Sequence, residues 1–437
     1  MQTHRLVMFG VLACGLSSCG GSRGGVVTLP TPVLFGKVDT PVLSLASGRY
    51  SSAQSVAIIT DNPGAVIYFT TDGSDPGTSS RVYGGPISIP TNLTLKAIAA
   101  ARYYAQSSVA SADYTFDSNY QPDSGLPKPP TSVDLRVGSV KTPGGLKVVD
   151  WAGFRAAVTY TFDDAAQADE YPELQATGQR MTFFLTCGWD HDPSVWLQAV
   201  RDGQEIGNHT QHHCSADGAN CGAGPWAGSI EAEYDECTER LKQAYGLDNI
   251  WTTAAPYGDT GYDAVASTRF FLNRGVSEGH VAVDDRSDPY HLPAHAPKTG
   301  DKASKLNSVV DAAANGGYWR IFELHSLKAN SGYAPVDIKE LVANISYAKS
   351  KGDVWIDSMV NVGAYWIGQK VLKDAIETRT GYGTTLKWTL PSHFPSGKYV
   401  RVISTRGRLE QGGQVIPRSE SGYYEIALDP GSLTISP

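Results

Sequence analysis

Between residues 148 and 372, short apolar runs alternate with longer segments whose apolar positions recur every three or four residues. That alternation predicts βα units around a parallel sheet or barrel. Strands are expected over 156–162, 181–186, 204–208, 250–254, 319–325 and 354–356, and helices over 229–245, 262–271, 303–314, 335–350 and 358–372. Ile230, Tyr234, Cys237 and Leu241 mark the buried stripe of the first helix, with Ser229 as its cap. Pro335 suits the first turn of the fourth. Upstream, over 38–116, the period falls to two: Ser55–Thr60, Ala65–Thr70 and Asn92–Ile98 are separated by turn residues such as Asp72-Gly-Ser-Asp-Pro76. Short strands so punctuated predict a β-sandwich. Residues 117–147 are rich in Pro, Ser and Gly and read as a linker, semi-rigid at Pro127-Lys-Pro-Pro130. Strands return at 384–390, 399–403 and 423–427, so 373–437 is expected to be a small β-domain.

At 437 residues the chain exceeds one ordinary core, and 41% apolar against 18% charged residues describes a folded protein. A net charge of −8 counts against nucleic acid as the partner. The N-terminus changes the picture further. Arg5 precedes the apolar run Leu6–Leu16, which is of signal-peptide length, and Leu16-Ser-Ser-Cys19 resembles a bacterial lipobox. Residues 1–19 are therefore expected to be a lipoprotein signal with Cys19 as the lipidated residue, and 20–37 a flexible tether. The expected protein is an exported monomer anchored by lipid in the cell envelope, at the outer membrane or cell surface; plain secretion is the alternative. Four cysteines remain, Cys187, Cys214, Cys221 and Cys237, an even number that predicts disulfides with three connectivities open. Cys214 and Cys221 bracket a Gly/Ala-rich loop fit for a short staple, whereas Cys237, on the apolar stripe, also suits a buried thiol.

The candidate chemistry sits at strand ends, where a barrel presents its functional groups. Asp163-Asp164 closes the run Ala156–Phe162, His209-Thr-Gln-His-His213 follows the third expected strand, and His325 ends Phe322-Glu-Leu-His325. One carboxylate with two imidazoles suits Zn²⁺ or another divalent metal such as Co²⁺, with positions left for water and substrate. A spacing of four puts His209 and His213 on one face if the segment is helical, and His212 elsewhere. Of two adjacent carboxylates only one readily coordinates. Its neighbour can take a proton, and His325 can return one from the opposite side. Taken singly, Asp163-Asp164 reads as a helix cap and each histidine as a core residue; together they read as a metallohydrolase. His191, His280, His291 and His295 lack such a pattern and are expected to be structural. Trp189, Trp196 and Trp226 are core by default, although Trp226, in a Gly-rich loop, could stack on a sugar.

These motifs resemble the polysaccharide deacetylases (the NodB-homology domain, carbohydrate esterase family 4) over roughly 220 residues. Thr161-Phe-Asp-Asp164, His209-Thr-Gln-His-His213, Ala255-Pro-Tyr-Gly258 and Leu324-His325 follow that family's order. The resemblance implies a distorted (β/α) barrel, with Asp164, His209 and His213 on the metal, Asp163 as base, His325 as acid, and the Tyr257 backbone N–H at the oxyanion. It implies an acetylated polysaccharide as substrate, N-acetylglucosamine-type or acetylated xylan, with acetate released. A catalytically impaired glycan-binding protein and a peptidoglycan deacetylase are the alternatives. Two departures stand out: Ala254 replaces the family's frequent Arg, and Asp285-Arg-Ser-Asp288 is followed by Pro-Tyr rather than Trp. Arg286 or Arg274 is the candidate substitute cation. Ile67–Pro76, Tyr83-Gly-Gly-Pro-Ile87 and Leu95–Ala99 resemble the C-terminal module of chitobiases and β-hexosaminidases, with spacer and sugar-binding roles both open.

Overall fold

The computed structural model describes residues 36–50, 54–116, 124–130, 137–189, 192–328, 332–380, 383–404 and 406–436. The expected signal peptide with Cys19, nearly all of the tether, much of the linker and His191 lie outside the described residues. Two compact units divide at residue 120.

In the first unit a five-stranded sheet runs in the order Gly48–Tyr50, Ala110–Phe116, Leu93–Ala100, Val66–Thr70, Arg81–Val82. Two short pairs, Val42–Leu43 with Ile58–Ile59 and Gln54–Val56 with Ile87–Ile89, accompany it. Alternation decides the buried face: Ile67 and Phe69 of one strand meet Leu95 and Ala97 of the next, with Val56, Ile58, Ile89 and Tyr114 in the same core. This is the expected β-sandwich.

The second unit is built on seven parallel strands: β1 (Ala156–Phe162), β2 (Thr182–Leu185), β3 (Glu205–Asn208), β4 (Thr252–Ala254), β5 (Leu272–Arg274), β6 (Trp319–Leu324) and β7 (Val354–Ile356). Their order is β5-β4-β3-β2-β1-β6, with β7 joined to β1. Every residue of β1 is buried, as a strand covered on both faces requires. The barrel is distorted in two places. β2 pairs β1 only at Thr161 and Phe162, while β7 pairs its first three residues. β5 and β6 do not pair; segment 281–295 lies between them through single bridges, Arg274 to Leu292 and His295 to Phe322.

Helices α1 (Ile230–Tyr245), α2 (Ala303–Gly316), α3 (Ile338–Ser350) and α4 (Met359–Lys373) cover the barrel. Ser229 caps α1 by accepting from the Ala232 N–H, as expected. The helix expected over 262–271 is one turn, Asp263–Ala266, because buried Phe270 and Phe271 lead straight into β5. α3 begins after Pro335, with Asp337 accepting from the Lys339 N–H as its cap. Short helices Tyr171–Ala176 and Pro193–Arg201 carry too few turns for a clear period.

The tail forms a five-stranded sheet and a share of a four-stranded one. Leu146–Val149 pairs with Tyr399–Ser404 on one side and Val137–Lys141 on the other, so the end of the expected linker is sheet. α4 joins barrel and tail: Trp319, Trp355, Trp366, Val400 and Ile426 belong to one continuous core. Among the described residues no helix is long and apolar enough to cross a membrane.

Candidate active site

The C-terminal ends of β1, β3 and β6 deliver the acids and imidazoles. Asp163 keeps sheet register, its N–H donating to Leu324 O at 2.9 Å, and is 3% exposed. Asp164 has φ 70°, so the backbone turns and the adjacent carboxylates part. His209 is buried, its N–H donating to Leu185 O. Residues 209–213 are not helical: Thr210 (φ 67°) and His213 (φ 53°) fold the segment back, and a loop brings the two imidazoles together. Positive φ at three non-glycine residues of one site is backbone strain held by its surroundings. Part of that hold is local. Asn208 accepts from the Thr210 N–H (2.7 Å), and Thr210 Oγ1 accepts from the His213 N–H (3.0 Å). His212 points away, as expected, with its N–H and Nδ1 on the fully buried Glu233 of α1 (2.7 and 2.9 Å).

His209 Nε2 and His213 Nε2 stand 3.5 and 3.6 Å from Asp164 Oδ1. Ligand atoms of the three residues all lie within 4.8 Å of one another. Asp164 Oδ1 and His209 Nε2 are buried without a hydrogen-bond partner, and in a folded protein such orphans call for an explanation. His209 Nδ1 faces Ala254 O at 2.8 Å; a carbonyl only accepts, so Nδ1 carries a proton and Nε2 is the nitrogen turned towards Asp164. Burial, then neighbouring His209, lowers the His213 pKa to about 4 and keeps that ring neutral. These donors fit a divalent ion.

A second trio, Asp163, Glu323 and His325, is as compact. Here a cation is already present. Fully buried Arg274, from β5, donates through Nη2 to Asp163 Oδ2, and its Nη1 lies 3.4 Å from Glu323 Oε2. Burial pushes the Asp163 carboxyl up, but Arg274, His209 and His325 outweigh it and hold it at about 2. His325 Nε2 is 3.7 Å from Asp163 Oδ2. Gln167 Nε2 ties the two segments by donating to Asp163 O (2.9 Å) and His325 O (2.6 Å). His325 opens on a cleft of about 640 Å³ lined by Pro297, Lys298, Thr299 and Tyr333.

Tyr257 (φ 59°) packs its ring edge-on to His213 at 4.7 Å, and its backbone N–H donates to no group among the described residues. Of the two nominated cations, Arg274 reaches Asp163 and Arg286 is exposed. Asp285 and Asp288 cap their own loop, and Asp285 also lies 3.8 Å from Lys370 Nζ. His280, His291 and His295 stay outside the cluster, against Tyr318, Asp263 and Glu278.

The aromatic at the site is Trp189, not Trp226. Trp189 stacks on His213 at 5.4 Å with Nε1 donating to Gly222 O, whereas Trp226 lies against Gly218 and Trp196 is fully buried. Cys214 is bonded to Cys221, and Cys237, which suited a buried thiol, is bonded to Cys187. Sequence reasoning missed Glu233 and Glu323. Glu323 is the one acid in the buried strand Trp319–Leu324, and that is the signal that could have found it.

Barrel, a compact Asp164–His209–His213 cluster able to hold a divalent ion, and Asp163 and His325 beside it are the features of a metal-dependent hydrolase domain. Residues 154–271 match the family model described as "Polysaccharide deacetylase", and residues 45–111 match "Chitobiase/beta-hexosaminidase C-terminal domain". The chain thus carries a polysaccharide deacetylase domain behind a chitobiase-type module. No match was found among curated proteins. Solved structures that resemble it include a family 4 carbohydrate esterase from Streptomyces lividans (16% identity, 48% of this chain and 95% of that one, TM-score 0.34). Another is the chitin deacetylase of the fungus Colletotrichum lindemuthianum (18%, 54% and 92%, TM-score 0.30). A third is the Xyl-CE4 domain of a multidomain xylanase from a Trinervitermes trinervoides hindgut metagenome (17%, 47% and 89%, TM-score 0.34).

Proposed function

We propose that this protein hydrolyses acetyl groups from a polysaccharide, with Asp164, His209 and His213 holding a divalent metal. The observation that carries the reading is the compact Asp164–His209–His213 cluster, two of whose ligand atoms are buried without a partner, lying directly beside an Asp163–His325 pair. A divalent ion bound there lowers the pKa of water towards ~7 and polarises a carbonyl. Asp163, ionised, takes the proton of the attacking water. His325 protonates the departing amine or alcohol from the cleft side. The free Tyr257 N–H is the donor for the oxyanion, and Trp189 backs His213 so that its ring keeps one orientation.

Two imidazoles and one carboxylate favour Zn²⁺ over hard oxygen-seeking ions, with Co²⁺ as a working substitute. The chitobiase-type module favours an N-acetylglucosamine polymer, with acetylated xylan as competitor and peptidoglycan as a further target of the same chemistry. Arg274 beside Asp163 speaks against an impaired glycan-binding protein, since Ala254 no longer leaves the base without a cation. The lipobox-like Leu16-Ser-Ser-Cys19 and the two disulfides support an exported, Cys19-anchored envelope protein. Acetate release from acetylated chitin oligomers, xylan and peptidoglycan, with chelator and with Zn²⁺ restored, tests the reading. Binding without turnover on every substrate would refute it.

A further inference from the structure

Ala254 of β4 and Arg274 of β5 pair in register, so their side chains leave the same face of the sheet. Both are fully buried. From β5 the guanidinium crosses the ring of Phe184 on β2, 5.6 Å from its centroid. Phe184 can lie there because its neighbour on β3 is Gly207, where a Cβ would collide with the ring. Beyond the ring, Arg274 meets Asp163 through Nη2 and Glu323 through Nη1, and Nη1 also donates to Gly275 O at 3.3 Å. A buried guanidinium persists only where carboxylates match its charge. Here one of the two is the proposed base, and Arg274 takes its Oδ2. Asp163 Oδ1 stays buried without a partner, as the oxygen left for a proton.

We propose that Arg274, braced by Glu323, is the positioning residue for Asp163, and that its post is interchangeable with position 254 one strand away. Position 254 lies nearer β1 in the strand order, so an arginine there has a shorter path to Asp163 over the same Phe184 platform. The idea rests on the hydrolytic reading above, because Asp163 is a base only in that reading.

The test compares Arg274→Met, Arg274→Lys, Glu323→Gln and the transfer variant Ala254→Arg/Arg274→Met, all loaded with Zn²⁺. Arg274→Met is expected to lower kcat by ~10²-fold with KM within about threefold and Zn²⁺ content unchanged. Glu323→Gln should cost ~10-fold, because the brace is lost while the contact to Asp163 stays. The transfer variant should regain at least ~10-fold over Arg274→Met, and added guanidinium should restore part of the same loss. A folded Arg274→Met with kcat within threefold of wild type overturns the positioning role. Should Arg274→Met not fold, Arg274→Lys decides: a single point charge should cost ~10-fold or more, and wild-type kcat overturns the idea.

Melting temperature keeps the two readings apart. A transfer variant that melts above Arg274→Met supports the interchange even in a chain that releases no acetate, an outcome that would sink only the hydrolytic reading. A folded transfer variant with neither kcat nor melting temperature above Arg274→Met overturns the interchange.

Discussion

The two carboxylate–imidazole trios share one end of the barrel and nearly the same composition, yet they are not equivalent. In Asp164, His209 and His213 the ligand atoms lie within 4.8 Å of one another, and those of Asp164 and His209 are buried without a hydrogen-bond partner. In Asp163, Glu323 and His325 a guanidinium sits among the carboxylates. Ligand count alone would nominate both for a metal. What separates them is whether the protein already provides the cation: a buried arginine repels an ion, whereas an unmatched carboxylate beside two imidazole lone pairs draws one.

The largest expected effect comes from emptying the first trio. Asp164→Ala should abolish tight metal binding and lower acetate release by at least ~10³-fold. Metal analysis of the wild type should give about one equivalent per chain; two would break the contrast between the trios. Asp163→Asn should lower kcat by ~10²–10⁴-fold while metal content stays at the wild-type level. Loss of metal in that variant would merge the two trios into one site. Replacing Cys214 and Cys221 by Ser removes the staple behind His213, at a cost of about 2–3 kcal/mol in unfolding free energy on the loop-entropy estimate. Chelator competition should then show weaker metal binding with the Asp163 side undisturbed. The smallest effect belongs to Ser229→Ala, about 1 kcal/mol from the lost α1 cap, read by denaturant melts with kcat unchanged.

The first trio could be read from the chain because its members sit at strand ends that the apolar runs announce, and because His209 and His213 are close in sequence. Their convergence, however, comes from left-handed turns at Thr210 and His213, not from the helix that the spacing suggested. The second trio was half legible. Asp163 and His325 stood out, but Arg274 shared its nomination with Arg286, because strand register is a tertiary fact absent from local pattern. β5 itself escaped notice: three residues behind Phe270-Phe271 look like the end of a helix. Likewise Leu146–Val149, four residues at the edge of a Pro/Gly-rich stretch, has its partner about 250 positions downstream, too far for sequence pattern to register. Glu233 was hidden by its helix, where an acid in the first turn looks like ordinary capping.

The left-handed backbone at Asp164 narrows what mutation can explore there. Asparagine would accept the twist but bring no charge; glutamate would bring the charge on a longer arm, from a backbone state it seldom visits. Only aspartate meets both demands at once. A search by conservative replacement at 164 should thus find no intermediate, and chains that drift from it would lose the ion in a single step.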